Sequence, residues 1–384
     1  MTAIVTDAHY RMSVSLIRDL FDRGVRVAAC EKASIEAPVG FASRGAAQCV
    51  RLPDEEYEAA LLALCREVLE IEGEKPVLLP VGAKTLAMVS RSRDAFSAVA
   101  GLCAATPSQL TLFNDKAAVS ALAKTLGVPV PESFERQPEE ADEPFFSRVP
   151  LPCAVKPHCG ESFGLTASQR YRICRTKDEL RAAFHHFKAL TNEDPIVQEY
   201  LPGAAYGCSV LAKDGAVYRS LCHRRVREYP VSGGPSSCCE SVSRSDLLAF
   251  SEALVQETGF TGPAMFEFKC AADGSPRLLE VNPRVWGTFP LTRAAKTDFA
   301  YSGFCLAANL PLPEEVPAQH VKMAYYPADF AAGLGYLKAG QPGRFFAAAA
   351  DFLSPCVKNG IADPKDPAPA QVYFRNLFHR GGHK

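Results

Sequence analysis

The strongest constraint on the fold is a pair of apolar segments, Ala264 to Cys270 and Leu278 to Val281, with a short polar stretch between them. That stretch contains Asp273-Gly274, and an Asp-Gly pair suits the positive φ angles of a tight turn between antiparallel strands. The sequence therefore predicts a β-hairpin at this place in the chain.

Polar side chains interrupt both predicted strands. Glu267 lies between two phenylalanines, and Glu280 and Asn282 follow it thirteen and fifteen residues later. Because side chains alternate between the faces of a strand, Glu280 and Asn282 are expected on one face. Carboxylate and amide oxygens, completed by phosphates, suit Mg²⁺, and Arg284 could face an anion that the metal also contacts. The alternative is an amphipathic hairpin whose acids lie in water.

The composition is that of an ordinary globular protein with two or three domains. The 384 residues carry a net charge of −1 and no long basic run, so nucleic acid is not an expected partner. No apolar run approaches the roughly 18 residues of a membrane span, and the start lacks a signal-peptide pattern, so we expect a soluble, cytoplasmic protein without a membrane partner. The 14 cysteines are scattered, which favours reduced and mostly buried thiols.

The first hundred residues alternate between strand and helix patterns, which is typical of a βαβ layout with a parallel sheet. A dinucleotide site is disfavoured, because the turn after the first strand, residues 6–11, contains no glycine. The same turn lies at the carboxyl end of a strand. Asp7, His9 and Arg11 are therefore expected either to face a ligand or to lie in a solvated loop.

Further candidate binding residues precede the hairpin. Lys116 begins a predicted helix, where a bound phosphate would offset its unfavourable interaction with the helix dipole. Lys156 ends a predicted strand, and the loop after it contains Gly160, Ser162 and Gly164. A Walker P-loop is excluded, because no Gly-Lys-Ser/Thr follows.

The order and spacing of these segments, over about Leu112 to Thr288, resemble the ATP-grasp superfamily. That group includes D-alanine:D-alanine ligase, biotin carboxylase and the carbamoyl phosphate synthetase large subunit. The resemblance implies an α/β fold class, with a Rossmann-like parallel-sheet domain at residues 1–106 and a two-subdomain ATP-grasp fold, itself α+β, at 107–310. Within the latter, residues of about 128–200 would form a mobile lid subdomain, and 311–384 would be a C-terminal extension.

The resemblance also implies roles for individual residues. A Mg²⁺ ion, or Mn²⁺ in its place, would be held by Glu267, Glu280 and Asn282. The ATP phosphates would be held by Lys116, Lys156, Gly160, Ser162 and Gly164. Adenine would lie against the main chain around Glu199, Tyr200 and Leu201. The acid that many family members place near the ribose is missing, since the chain has Ala204-Ala205-Tyr206 there.

Three arginines, Arg224, Arg225 and Arg227, precede a Gly-Gly loop, and such a cationic strand suits an anionic substrate or a transferred phosphoryl group. Arg225 is the favoured site residue, and the other two remain open. This loop and the segment from Asn282 to Gly287 look closest to carbamoyl phosphate synthetase-like carboxylate–amine ligases. In that reaction ATP converts a small carboxylate to an acyl phosphate, which an amine then attacks, with Arg284 and Arg225 holding the carboxylate or phosphoryl group. A homodimer is common in the resembled group.

Two alternatives have a basis in the sequence. The missing ribose acid is compatible with a nucleotide-binding protein that has lost catalysis. The segment Gly160 to Gly164 also fits the G-x-S-x-G nucleophile elbow of α/β-hydrolases, with Ser162 as the nucleophile. Against the hydrolase, Pro157 interrupts the strand before the turn, and a strand pattern rather than a helix follows.

Overall fold

The computed structural model describes residues 1–158, 165, 169–231 and 233–380. In chain order its strands are β1 Thr2–Val5, β2 Arg26–Lys32, β3 Ala46–Leu52, β4 Val77–Leu79, β5 Gly101–Leu102, β6 Cys153–Lys156, β7 Arg172–Cys174, β8 Ile196–Glu199, β9 Ala205–Lys213, β10 Ala216–Glu228, β11 Ser236–Val242, β12 Gly262–Cys270, β13 Pro276–Asn282, β14 Lys322–Ala324 and β15 Val357–Asn359. Its α-helices are α1 Arg11–Asp22, α2 Tyr57–Glu72, α3 Ala83–Arg91, α4 Arg93–Val99, α5 Pro107–Asn114, α6 Lys116–Thr125, α7 Asp142–Arg148, α8 Lys177–Thr191, α9 Ser245–Thr258, α10 Pro290–Ala294, α11 Phe299–Ala308, α12 Ala328–Lys338, α13 Pro342–Leu353 and α14 Ala368–Arg380.

The N-terminal sheet has the strand order β3-β2-β1-β4-β5, and every pairing in it is parallel. The predicted βαβ layout is therefore confirmed. Its central strands are short, buried and apolar, as expected where helices cover both faces of a parallel sheet.

A small antiparallel sheet, β7-β6-β8, follows, with α7 and α8 against it. Phe145 and Phe146 of α7 and Phe184 and Phe187 of α8 are fully buried and form most of its core. Lys156 is the last residue of β6, as the sequence predicts.

The third sheet has seven strands in the order β13-β12-β9-β10-β11-β14-β15. The hairpin β12–β13 confirms the sequence prediction and lies at one edge of the sheet, with Glu267 directly opposite Glu280. At the other edge, β14 and β15 come from the C-terminal residues, for which the sequence offers no motif. The last part of the chain thus extends the sheet that carries the hairpin.

One hydrophobic core joins the N-terminal sheet to the large sheet. Trp286, just after the hairpin, is buried there, with its ring centroid 5.2 Å from that of Phe289 and 5.7 Å from that of Phe299. The C-terminal residues add a polar connection, because the buried Arg18 of α1 donates to Asp366 Oδ2 at 2.9 Å and to the carbonyl oxygen of Ile361 at 2.8 Å. These contacts hold the hairpin close to the carboxyl ends of β1 and β4.

Among the described helices, none has the length and apolar character needed to cross a bilayer. The cysteines that the structure describes are free thiols, and of these only Cys49 and Cys356 are exposed. The predicted state of reduced and mostly buried thiols agrees with this arrangement.

Candidate functional site

A row of four residues crosses the large sheet from its edge. Glu280 of β13 pairs with Glu267 of β12, Glu267 with Gly207 of β9, and Gly207 with His223 of β10. Asn282 joins the row, since its Nδ2 donates to Glu267 Oε1 at 3.1 Å. The hairpin thus brings together the three oxygen-bearing side chains that the sequence singles out.

Arg225 reaches this row from β10 and forms an ion pair with Glu267 Oε2. Its Nη1 lies 3.5 Å from Glu228 Oε1. The Nε atom of Arg225 is buried and has no hydrogen-bond partner among the described residues. A buried donor without an acceptor is costly, and an anionic ligand could satisfy it.

Arg224, Arg225 and Arg227 near the end of β10 have different surroundings, because the pairing of β10 with β11 is irregular between Arg225 and Arg227 and between Arg227 and Glu228. Bulges break the simple alternation of side chains. Arg227 is buried and bonds Asp329 and Asp351, whereas Arg224 bonds Glu240 on the neighbouring strand at 2.9 Å. Of the three, Arg225 is therefore the arginine that contacts the hairpin acids.

Burial and nearby charges separate the two hairpin acids. Burial raises the pKa of Glu267, and the guanidinium of Arg225 only partly opposes this effect. Burial alone would also raise the pKa of Glu280, but the charges of Lys116, Lys156 and Arg225 outweigh it and the pKa is lowered. Glu280 is therefore the more readily ionised acid of the pair.

The two predicted phosphate-binding lysines flank Glu280. Asp115 caps α6 by accepting from the amides of Ala117 and Ala118, and this places Lys116 Nζ 3.0 Å from Glu280 Oε2. Burial, together with the charge of Lys116, lowers the pKa of Lys156 to about 8. A phosphate beside Lys156 would favour its charged form.

His223 and Gly207 lie side by side at the inner end of the row. A Cβ added at Gly207 would lie 2.2 Å from His223 Cε1, so only glycine fits opposite this imidazole. Burial, with the positive charge of Arg225, lowers the pKa of His223 to about 3, and its Nε2 lies 3.3 Å from Thr288 Oγ1. His223 is therefore a neutral, packed residue beneath the site.

The predicted adenine segment lies against the hairpin. Arg277 Nε is 3.8 Å from Glu199 Oε1, and Lys269 Nζ is 5.4 Å from the centroid of the Tyr200 ring. The amides of Glu199 and Tyr200 donate to the carbonyl oxygens of Glu132 and Pro152, at 2.9 and 3.4 Å. The Leu201 amide has no acceptor among the residues that the structure describes. Leu201 is thus the donor of this segment that a base could use.

Some expected site residues lie elsewhere or are not described. Gly160, Ser162 and Gly164 fall outside the described residues. Asp7 accepts from Gly82 N and Thr85 Oγ1, both at 2.8 Å, so its carboxylate supports the loop.

The other two residues of that loop also have partners. His9 Nδ1 is 2.6 Å from the buried carboxylate of Glu31. Arg11 reaches the hairpin side, donating to Gly287 O at 3.0 Å with its guanidinium 4.1 Å from the centroid of the Tyr325 ring. Arg11 is thus the residue of the loop that borders the site.

Arg284 contacts one of the three hairpin residues, since its Nη2 donates to Asn282 Oδ1 at 3.3 Å. Sequence reasoning missed two charged neighbours, Glu228 and Lys269. Lys269 is two residues from Glu267, and that spacing is a signal that could have identified it. Glu228 could not have been found by alternation, because the bulges in β10 determine which way it points.

The donor set suits a hard cation but is small. Among the described residues, no group of three or more His, Cys, Asp or Glu side chains is arranged to hold a metal. Glu267, Glu280 and Asn282 supply two carboxylates and one amide oxygen, which matches Mg²⁺ when substrate phosphates and water complete its shell. These residues therefore fit a cation that arrives with a nucleotide.

Comparison with known proteins gives a fold and a family model that matches part of the chain. A family model described as ATP-grasp in the biosynthetic pathway with Ter operon matches residues 191–326. Comparison with curated protein sequences gives no significant match. Solved structures with 14–16% identity share the fold over 84% of this chain.

Three of these structures illustrate the likeness. The biotin carboxylase domain dimer of Hydrogenobacter thermophilus 2-oxoglutarate carboxylase, solved with MgADP, ADP and bicarbonate, is 16% identical, with a TM-score of 0.64 and 73% of that chain covered. Campylobacter jejuni biotin carboxylase in a β,γ-ATP complex is 14% identical, with a TM-score of 0.65 and 74% covered. The L-amino acid ligase of Bacillus licheniformis is 15% identical, with a TM-score of 0.58 and 78% covered. The chain therefore shares the fold of these ATP-grasp enzymes, and its residues 191–326 match an ATP-grasp family model.

Proposed function

We propose that this protein is an ATP-dependent ligase that joins a small carboxylate to an amine. The observation that carries the proposal is a cluster of charges at the β12–β13 hairpin. There Glu267, Glu280 and Asn282 lie together, with Arg225 in contact with Glu267 and Lys116 in contact with Glu280. The alternating charges suit a site where a carboxylate and a triphosphate, both anionic, must approach one another. The ligase and carboxylases of similar fold support the general class of reaction.

Nucleotide binding is assigned to residues around the row. Mg²⁺, held by Glu267, Glu280 and Asn282 together with the phosphates, would neutralise charge that develops on the phosphate oxygens. Lys116 and Lys156 supply further positive charge, and Gly160, Ser162 and Gly164 are assigned to the phosphates by resemblance. Leu201 N–H is the donor for the adenine edge, beside Glu199 and Tyr200. Neighbours of similar fold hold MgADP or β,γ-ATP, which supports ATP and Mg²⁺ as cofactors.

ATP is the only activating reagent that the proposed reaction needs. A carboxylate oxygen attacks the γ-phosphorus, the bond to the β,γ-bridging oxygen breaks, and ADP leaves. Arg284 and Arg225 hold the carboxylate and then the new acyl phosphate, and the unpaired Nε of Arg225 is suited to one of its oxygens. The amine attacks the acyl carbon and loses a proton, and inorganic phosphate leaves as the amide forms.

We also propose a division of the chain into three parts: a Rossmann-like domain at residues 1–106, an ATP-grasp domain at 107–310 with a lid of about 128–200, and a C-terminal extension at 311–384. We further propose that the protein is a homodimer, and the dimeric biotin carboxylase domain among the neighbours supports this.

The test is phosphate release from Mg-ATP in the presence of pools of small carboxylates and amines. We expect release that depends on one carboxylate–amine pair. Replacement of Glu280 by alanine should lower turnover by at least roughly 10²-fold, since it removes one preorganised electrostatic group.

Glu240→Gln is the matched control, because Glu240 is a carboxylate of the same sheet whose arginine partner, Arg224, is exposed. It should turn over ATP like the wild type. A folded Glu280→Ala protein with wild-type turnover would contradict the assignment of the hairpin.

A nucleotide-binding protein without catalysis is the second candidate, and the missing ribose acid favours it. Binding of Mg-ATP without release in any pool would support it over the ligase. The hydrolase has lost support because β6 lies in an antiparallel sheet of three strands, whereas a nucleophile elbow follows a strand of an α/β-hydrolase sheet. A serine-directed fluorophosphonate should therefore leave Ser162 unlabelled.

A further inference from the structure

The C-terminal helices α12 and α13 form a helical hairpin with an exposed apolar row on α12. The row consists of Phe330, Leu334 and Leu337, which are 59%, 40% and 44% exposed. Their spacing of four and three residues places them on one face of the helix. On a helix that faces only water, this stripe would be polar.

Helix α13 carries an equivalent row. Phe346 and Leu353 are 66% and 80% exposed, and Ala350, also exposed, lies between them at the same helical spacing. Phe352, at the end of the helix, is 58% exposed. Both helices of the hairpin thus present apolar side chains that the rest of the described chain leaves uncovered.

The helical hairpin of α12 and α13 is a firmly packed unit. Gly333 of α12 lies against Ala348 of α13, where an added Cβ would be only 3.3 Å from the alanine Cβ. Asp329 and Asp351, one on each helix, both bond the buried Arg227 of the large sheet. Because the buried faces of the two helices already pack against these partners, the exposed rows are not part of this chain's own core.

We propose that the exposed rows of α12 and α13 are the interface between two copies of this chain, an inference that rests on the homodimer put forward with the proposed function. A fully covered phenylalanine buries about 150–250 Å². At the observed exposures, the five large side chains of the two rows present roughly 500 Å² of apolar surface, and a standard interface buries about 800 Å² per partner. The rows therefore supply most of what one half of a stable dimer needs.

Two-fold pairing suits this surface better than a membrane does. The exposed cations of the hairpin, Lys338 and Arg344, flank the turn between the helices. A helix that lies on a membrane carries many Lys and Arg along its polar face. When two hairpins pack antiparallel about a two-fold axis, their turns lie at opposite ends, so the like charges stay apart while each row covers its equivalent.

The test is sedimentation velocity of the full chain across a dilution series. We expect the wild type, whose chain mass is 41.5 kDa, to sediment as a dimer. The double variant Phe346→Glu/Leu353→Glu should raise the dissociation constant at least roughly 100-fold, because it places four charges in the apolar centre of the interface. Phe330→Glu tests the other helix independently.

Ile71→Glu is the matched control, since Ile71 is 75% exposed on α2, outside the helical hairpin of α12 and α13. It should remain dimeric, and circular dichroism should show that all variants are folded. A wild-type protein that is monomeric throughout, or hairpin variants that dimerise like the wild type, would overturn the proposal. So would a monomeric protein that binds vesicles through this hairpin.

Discussion

Arg225 and Glu267 form an ion pair across β9, the strand that lies between their own strands β10 and β12. The residue of β9 beside Glu267 is Gly207, so no side chain of that position stands between them. The guanidinium therefore occupies an oxygen of one proposed metal ligand.

This ion pair predicts that the metal binds weakly without nucleotide. Arg225→Met should strengthen binding of Mn²⁺ alone by roughly tenfold, because a cation that competes for Glu267 is removed. The same variant should lose phosphate release. Calorimetric titration with Mn²⁺ measures the first effect. Arg224→Met, at the exposed pair with Glu240, should leave both quantities unchanged.

Gly207 should tolerate no side chain. A Cβ there would lie 2.2 Å from the imidazole of His223, whose surroundings are buried. We expect Gly207→Ala to lower the free energy of unfolding by about 1–3 kcal/mol, as in other overpacked cores. Urea unfolding measures the change. Gly343→Ala, where an added Cβ meets no atom within 4 Å, should not destabilise the protein; equal losses in the two variants would contradict the packing argument.

The buried pair of Arg227 and Asp329 should matter for stability. Two hydrogen bonds of 2.8 Å join them, and both side chains are almost fully buried. Asp329→Asn should lower the free energy of unfolding by about 1–3 kcal/mol, because it removes the more deeply buried of the two carboxylates that bond Arg227 and leaves only Asp351 as counter-charge.

An exposed pair provides the comparison. Arg224→Met breaks the ion pair with Glu240 and should cost only about 0–1 kcal/mol. Denaturant unfolding of the two variants tests the contrast, and a larger loss from Arg224→Met than from Asp329→Asn would refute it.

His223 should make the fold sensitive to acid. Its pKa is about 3 in the folded protein, against 6.5 when unperturbed. Between these values the unfolded chain binds a proton that the folded chain does not, so stability falls as the pH drops from 6.5 towards 3. From pH 7.5 to 5 the loss from this residue should be roughly 2 kcal/mol.

The measurement is the urea midpoint of the wild type and of His223→Gln at both pH values. Other groups titrate in both proteins, so the difference between them isolates His223. The glutamine variant should lose less stability on acidification. Equal losses would show that the imidazole is not the group responsible.

Local pattern was enough to predict the hairpin, the helix that begins at Lys116 and the alternation of the N-terminal domain. Each depends on signals within about 15 residues, namely side-chain alternation, an Asp-Gly turn and a helix cap. The spacing of Glu267, Glu280 and Asn282 also sufficed to expect them together, because a hairpin brings its two strands side by side.

Other features depended on contacts between distant parts of the chain. Bulges in β10 turn Arg225 towards the acids while Arg227 bonds the C-terminal helices, although simple alternation would place the two on one face. The amides of Glu199 and Tyr200 are engaged by Glu132 and Pro152, which the sequence could not indicate. Strands β14 and β15, from a part of the chain without a motif, complete the large sheet.

The sequence by itself determined which residues carry the charge and on which local elements they lie, because alternation and caps act between near neighbours in the chain. Only the tertiary structure decided their partners: Arg225 with Glu267, Lys116 with Glu280, and Arg227 with Asp329. Pairing across strands depends on register, on bulges and on the small residues that allow close approach, and these arise when the whole sheet packs.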